Sequence, residues 1–230
     1  MPPVSVIVPV HNGADFLEEA LTAIAAQTHP DVEIVVIDDG STDASVALAS
    51  RFLESFPRGV LVPRATTAGV ATARNDGIRR ASSALLAFCD QDDVWLPVKL
   101  ERQLAHLDAH PGDAVVMVRQ EPFLDGLDEY PAWLLPDRVF GDLGGVLPCT
   151  ALVRREAFDV VGEFDVTKSG ADDFDWVVRA RHAGVGVAVC PEVLMRRRLH
   201  RGNGSHDAAR MRASMFQILR DVRRSDDSAT

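Results

Sequence analysis

VSVIVPVHNGADFLEEALTAIAAQTHPDVEIVVIDDGSTD, residues 4–43, decides how the rest of the chain is read. Val4 to Val10 is short, β-branched and apolar, the composition of a buried strand, and His11-Asn12-Gly13 reads as a turn. Phe16, Leu17, Ala20, Leu21 and Ile24 then recur at helical spacing. Asp15, Glu18 and Glu19 stand in the first turns, where the helix dipole favours negative charge. A second buried strand runs from Ile34 to Ile37 and ends in Asp38 and Asp39; Ser41, Thr42 and Asp43 can cap a helix reaching Leu53.

Outward from this unit the plan repeats. GVLVP (59–63) is a third strand, GVATARNDGIRRA (69–81) a short helix, LLAFCDQDDVWLP (85–97) a strand that ends in aspartates, and VKLERQLAHLDAH (98–110) a helix. Such β-α alternation predicts an α/β fold, a mostly parallel central sheet flanked by helices, with ligands held outside the carboxyl ends of the strands. Each polar cluster lies at such an end: His11 and Asn12, Asp38 and Asp39, then Asp90 to Asp93. AVVMV (114–118) reads as another strand. Residues 120–148 are rich in Pro, Gly, Asp and aromatics without a period, as expected of loops over a site. Regular patterning returns in CTALVRREAFDVVGEFD (149–165), in GADDFDWVVRARHAG (170–184), a helix closed by Gly184, and in the strand-like GVGVAVCPEVLMRRRLH (184–200). With no repeat and no linker, residues 1–230 are expected to form a single domain.

Composition narrows the function classes. The chain has 230 residues, 47% of them hydrophobic, with 24 Lys and Arg against 34 Asp and Glu. A net charge of −10 argues against a nucleic-acid surface or a polybasic membrane anchor. Cys89, Cys149 and Cys190 are odd in number and never form C-x-x-C, which fits reduced thiols. No basic leader and no run of about 18 apolar residues is present, so the expectation is a cytoplasmic protein without an integral membrane segment.

Asp90, Asp92 and Asp93 concentrate charge where a strand turns, so that their carboxylates can face one crevice. That suits Mg²⁺ or Mn²⁺, held by one or two carboxylates together with the phosphates of a substrate. The plainer reading is a solvated turn. An EF-hand is excluded by Val94, Trp95 and Pro97, and neither G-x-G-x-x-G nor a P-loop is found. An aspartyl-phosphate phosphatase, with Asp90 as nucleophile, is the alternative that the D-x-D leaves open.

Residues 4–43, 69–104 and 170–184 together resemble the family-two glycosyltransferases, inverting enzymes of the GT-A fold with a single Rossmann-like domain. The resemblance is dense over about the first 110 residues and returns from Cys149 to Gly184. It implies a nucleotide-sugar-binding half (about 1–110), an acceptor-binding and catalytic half (about 111–205) and a C-terminal helix and tail (206–230). Pro9, His11 and Asp39 match nucleoside-contacting positions, with Asp39 the acceptor for a base N–H, and Arg74 matches a position near the nucleotide or donor sugar. Asp90 and Asp92 match the family's DXD motif, in which the first approaches ribose or sugar and the second ligates the metal. Asp93 falls to a supporting or capping role.

Asp173 matches the family's catalytic base at the start of a helix, and Asp172 replaces the usual Glu. His200, beside Arg198, matches a terminal element whose His reaches the diphosphate or metal. The implied reaction is a metal-dependent single displacement of the hexosyltransferase type. In it Asp173 deprotonates an acceptor hydroxyl that attacks a nucleotide sugar, UDP-sugars being the commonest donors. The acceptor, whether glycan, lipid-linked, natural product or peptide, is not legible. A nucleotide-sugar-binding but non-catalytic partner of a larger transferase is the remaining alternative.

Overall fold

A computed structural model describes residues 2–131, 148–168, 170–203 and 218. The elements follow as β1 (Val4–Val10), α1 (Leu17–Ala25), β2 (Val32–Asp38), α2 (Ser45–Glu54), β3 (Gly59–Pro63), α3 (Val70–Arg80), β4 (Leu85–Phe88) and β5 (Val94–Trp95). After these come α4 (Lys99–Ala109), β6 (Asp113–Leu124), a 3₁₀ turn at Pro148–Thr150, β7 (Ala151–Arg154), α5 (Glu156–Val161), α6 (Asp172–His182) and β8 (Gly186–Leu199). The strands form one sheet in the order β3-β2-β1-β4-β7-β6-β8-β5. Pairing is parallel from β3 to β4 and between β6 and β8; β7 runs antiparallel to β4 and β6, as does β5 to β8. Both halves expected from the sequence therefore share a single sheet.

Alternation along the strands produces three layers. On β1, Val4, Val6, Val8 and Val10 face a core with Leu17, Leu21 and Ile24 of α1 and Leu100, Leu104 and Leu107 of α4. Ile7 faces the opposite way, into a second core with Ala73 and Ile78 of α3 and Trp176 and Ala180 of α6. Each such side chain contributes about 1.5–3 kcal/mol on burial, so a register slip that reversed the faces would be heavily penalised.

Two expectations need correction. The strand expected at 114–118 runs on to Leu124, so the first five residues of the stretch read as irregular are paired with β8. The single strand expected over 85–97 is instead two: β4 ends at Phe88, and Val94 and Trp95 form a separate short edge strand paired with β8. Helix α2 begins at Ser45 after Ala44, and Asp43 of the expected capping cluster serves its start, its carboxylate accepting from the Ser45 amide at 2.9 Å. Residues 132–147, the core of the stretch expected to form loops over a site, lie outside the described residues, as does the expected helix and tail at 206–230 apart from buried Ile218. Among the described residues no helix is long and apolar enough to cross a membrane.

Candidate active site

Strands β1, β2 and β4 end side by side, and beyond them opens a cleft of about 400 Å³. Asp39, Asp90, Asp92, Asp93, Asp172 and Asp173 line it, together with Arg74, Arg197, Pro9, His11, Gln91 and Asn203. Of the site residues singled out in the sequence, Arg198 and His200 stay off this lining. His200 stands directly behind Asp92.

Helix α3 organises the centre. Arg74 is buried, and its two terminal nitrogens reach Asp90 at 2.9 Å and Asp172 at 3.0 Å. Burial alone would weaken its protonation, but Asp90, Asp172 and Asp173 outweigh that and hold the guanidinium firmly charged. The next residue, Asn75, clamps the backbone of Phe164 in both directions, accepting its amide at 3.0 Å and donating to its carbonyl at 2.9 Å. One helical turn thus joins the strand-end aspartates to the segment leading into α6.

Asp172 and Asp173 stand at the start of α6 in different surroundings. Asp172 is committed to Arg74. Asp173 makes a 2.7 Å bond to the Phe174 amide and otherwise faces the cleft, above Phe88, Phe158, Phe164 and Trp176. Burial and the neighbouring Asp172 raise its carboxyl to about 6 against a partial offset from Arg74. An aspartate titrating there can exchange protons near neutrality.

Asp92 accepts from His200 Nε2 and from Asn203 Nδ2, both at 3.0 Å. The Gly202 amide donates to His200 Nδ1 at 3.2 Å, so that nitrogen carries the lone pair and Nε2 the proton. The imidazole packs against Phe16, ring centroids 4.4 Å apart. Burial and Asp90 push the Asp92 carboxyl above its ordinary value despite the His200 bond, and burial with Asp90 and Asp92 pushes Asp93 well above it. Buried Asp93 accepts the Arg198 amide at 3.2 Å and so ties the aspartate loop to β8.

Arg198, expected beside His200 in the site, turns away instead. It ion-pairs with Glu19 and Asp125, lies over the rings of Phe16 and Phe123, and its Nε donates to the Asp92 carbonyl at 3.1 Å. Arg197, its neighbour on the other face of β8, enters the cleft. Alternation along a strand separates the two, and the triple arginine concealed which would point inward.

Asp39 is nearly saturated within the fold. Its carboxylate accepts from Thr67 Oγ1 and the Gly69 amide at 2.8 Å and from the Ala68 amide at 2.9 Å, and Arg64 Nε lies 3.3 Å away. His11 donates from Nδ1 to the Asp39 carbonyl at 2.9 Å, and its amide donates to Gln91 Oε1 at 2.8 Å. Sequence reasoning missed Gln91, Arg197 and Asn203. Gln91 carried a signal, standing inside Asp90-Gln91-Asp92-Asp93, whereas Asn203 carried none.

Solved glycosyltransferases share this α/β fold. S. aureus TarS 1–349, solved with UDP-GlcNAc, superposes with a TM-score of 0.74 at 23% identity, covering 94% of this chain and 65% of that one. The mannosyltransferase PcManGT of Pyrobaculum calidifontis, solved with GDP-Man and Mn²⁺, gives a TM-score of 0.74 at 25% identity over 97% of this chain and 64% of its own. The fold is GT-A. The family model described as Glycosyl transferase family 2 matches residues 5–162, and the chain belongs to that family. The putative teichuronic acid biosynthesis glycosyltransferase TuaG of Bacillus subtilis is 37% identical over 103 residues, 45% of this chain and 41% of that protein. An uncharacterized glycosyltransferase of Rickettsia prowazekii is 27% identical over 219 residues, 90% of this chain and 67% of its own length. The chain spans only 38% of a Nostoc relative that is 36% identical over 126 residues. Family membership displaces the phosphatase alternative, for which Asp90 would have to be a nucleophile rather than the partner of Arg74.

Proposed function

We propose that the chain transfers a sugar from a nucleotide-sugar donor to an acceptor hydroxyl with inversion, Asp173 acting as general base. The carrying observation is the Asp90–Arg74–Asp172 bridge, which occupies Asp172 and leaves Asp173 facing the cleft with a carboxyl raised to about 6. A base of that strength is deprotonated at neutral pH yet basic enough to take a hydroxyl proton, work that contributes about 10²–10⁴-fold, or about 3–5 kcal/mol of barrier. Attack on the face of the sugar opposite the leaving diphosphate accounts for inversion.

The residues present fit Mg²⁺ or Mn²⁺. Asp92 offers a carboxylate whose charge is destabilised by burial and by Asp90, and His200 and Asn203 already converge on it. A bound cation would neutralise charge on the leaving diphosphate. Asp92 would hold it, with His200 supporting Asp92 in its present tautomer or joining through Nε2 in the other, with the proton on Nδ1. Pro9 and His11 line the nucleoside end, and a base N–H would reach Asp39 only in place of the Thr67 hydroxyl or a loop amide. UDP heads the list of candidate nucleotides. TarS carries UDP-GlcNAc and PcManGT GDP-Man, so both bases belong in the test.

Release of nucleoside diphosphate from a UDP- and GDP-sugar panel in Mn²⁺, with and without acceptors, tests the assignment. In a verified transfer, Asp173→Asn is expected to lower turnover at least about 10²-fold with nucleotide affinity nearly unchanged. Full activity in that variant alongside an inactive Asp172→Asn would move the base by one residue. A protein that binds nucleotide sugar and never turns it over would be the non-catalytic partner.

A further inference from the structure

At the end of the sheet opposite the cleft, His106 on the last turn of α4 and His110 at its C-cap meet Asp113 at the start of β6. One ligand atom from each lies within 4.8 Å of the others. We propose that these three side chains bind a borderline divalent ion of the Zn²⁺ class, separate from the hard cation assigned to the aspartate cleft.

The geometry has the features that such a site requires. His106 lies four residues before the C-cap residue His110, and the two rings are nearly parallel with centroids 4.3 Å apart. His106 Nε2 lies 2.8 Å from Asp113 Oδ2. Because a carboxylate only accepts, that nitrogen carries the proton in the metal-free site, and Nε2 becomes a ligand when the ring holds its proton on Nδ1 instead. His110 Nδ1 lies 3.1 Å from the His106 carbonyl, which also only accepts, so Nδ1 is the protonated nitrogen and Nε2 presents its lone pair outward. Metal-binding histidines are oriented in this way by a backbone carbonyl on the second nitrogen. Tetrahedral Zn²⁺ with bonds of about 2.0–2.1 Å needs ligand atoms about 3.3 Å apart. The three ligand atoms, all within 4.8 Å of one another, would close to that spacing by side-chain rotation.

The backbone beneath the site is fixed independently of any ion. Arg154 donates from Nε to the Asp113 carbonyl and from a terminal nitrogen to the Leu107 carbonyl, both at 3.1 Å, which ties the end of α4 to the start of β6. The Asp113 amide closes the intervening turn on the His110 carbonyl at 3.0 Å. Gly186 completes the fit: a Cβ there would stand 2.2 Å from the Gly112 carbonyl oxygen and 3.0 Å from Asp113 Oδ1. Two imidazoles and one carboxylate select Zn²⁺, Ni²⁺ or Cu²⁺ over Mg²⁺, and leave a fourth position to water.

Zn²⁺ titration of the full chain against a chromophoric chelator, paired with thermal melting, tests the proposal. One equivalent is expected to bind in the wild type and in Asp92→Asn. That ion should raise the melting temperature by about 5–10 °C when free Zn²⁺ exceeds Kd a hundredfold. His110→Ala and Asp113→Asn, surface changes whose folding is checked by circular dichroism, should each weaken this binding at least about tenfold while leaving nucleotide affinity in Mn²⁺ unchanged. An equivalent lost in Asp92→Asn, or retained at wild-type affinity in both His110→Ala and Asp113→Asn, would overturn it, as would no Zn²⁺ uptake by the wild type.

Discussion

Asp173 differs from Asp172 by its partners, and pH is the variable that separates them. An ordinary aspartate titrates at 3.8 and Asp173 at about 6, so between those values the native state holds a proton that the unfolded chain has released. The contribution to stability is full below 3.8 and is lost as pH rises through 6. Asp173→Asn removes this penalty and is expected to match or exceed wild-type stability at pH 7, by up to about 3 kcal/mol in chemical denaturation. In wild type the rate at low substrate should climb with pH through about 6 and then level; a flat profile would remove Asp173 as the base. Lys99 shows the opposite sign. It is fully buried, its Nζ bonded to Gln103 at 2.9 Å and 3.8 Å above the Trp95 ring, and burial depresses its pKa to about 7. From pH 7 to about 10 the unfolded lysine binds a proton that the native one lacks. Wild-type stability relative to Lys99→Met is therefore expected to rise by up to about 1.4 kcal/mol per pH unit, and parallel pH profiles would contradict this.

At the scale of elements, α3 joins the fold to the chemistry through Gly77. A Cβ at this position would stand 2.3 Å from Ile7 Cγ2 on β1, so the helix packs closer to the strand than any side chain permits. Gly77→Ala is expected to cost about 1–3 kcal/mol from overpacking, partly relieved in Gly77→Ala/Ile7→Ala, with the coupling read from a double-mutant cycle. Additive effects would show that the contact does not govern the packing. Because Arg74 is on the same helix, turnover should fall with the single change and recover in part with the double. The alternating apolar strands and spaced helices were legible because each follows a period of its own, 2 or 3.6, set by burial on a known face. The edge strand Val94–Trp95 was not, since two residues show no period and their pairing comes from β8, about a hundred residues later. Nor was the burial of Lys99: a lysine near the start of an amphipathic helix looks solvated until its tertiary neighbours are known. In the site, the strand-end carboxylates were legible as motifs, whereas the Arg74 bridge to Asp172 spans 98 residues and leaves no local trace.

For the whole molecule the central fact is charge. The chain carries −10 overall and aims six aspartates at a cleft whose buried cation, Arg74, already serves two of them. A nucleoside diphosphate entering that field meets repulsion on the order of 4 kcal/mol for each pair of unit charges 4 Å apart at an effective dielectric of about 20. Arg197 on the lining can offset part of this. The raised carboxyls of Asp92 and Asp93 record the same crowding from the protein side, and a divalent cation relieves both at once. Nucleotide affinity is therefore expected to depend on Mn²⁺ or Mg²⁺. Calorimetry with UDP, GDP and dTDP should show binding in Mn²⁺ that weakens at least about tenfold in EDTA. Asp92→Asn should bring nucleotide affinity in Mn²⁺ down toward the EDTA value, while Asp173→Asn, at the residue proposed to act on the acceptor, should keep it. Equal affinity with and without the ion, for whichever nucleotide binds, would mean that Arg74 and Arg197 carry the diphosphate unaided and that the aspartate loop serves only to hold β8 against β4.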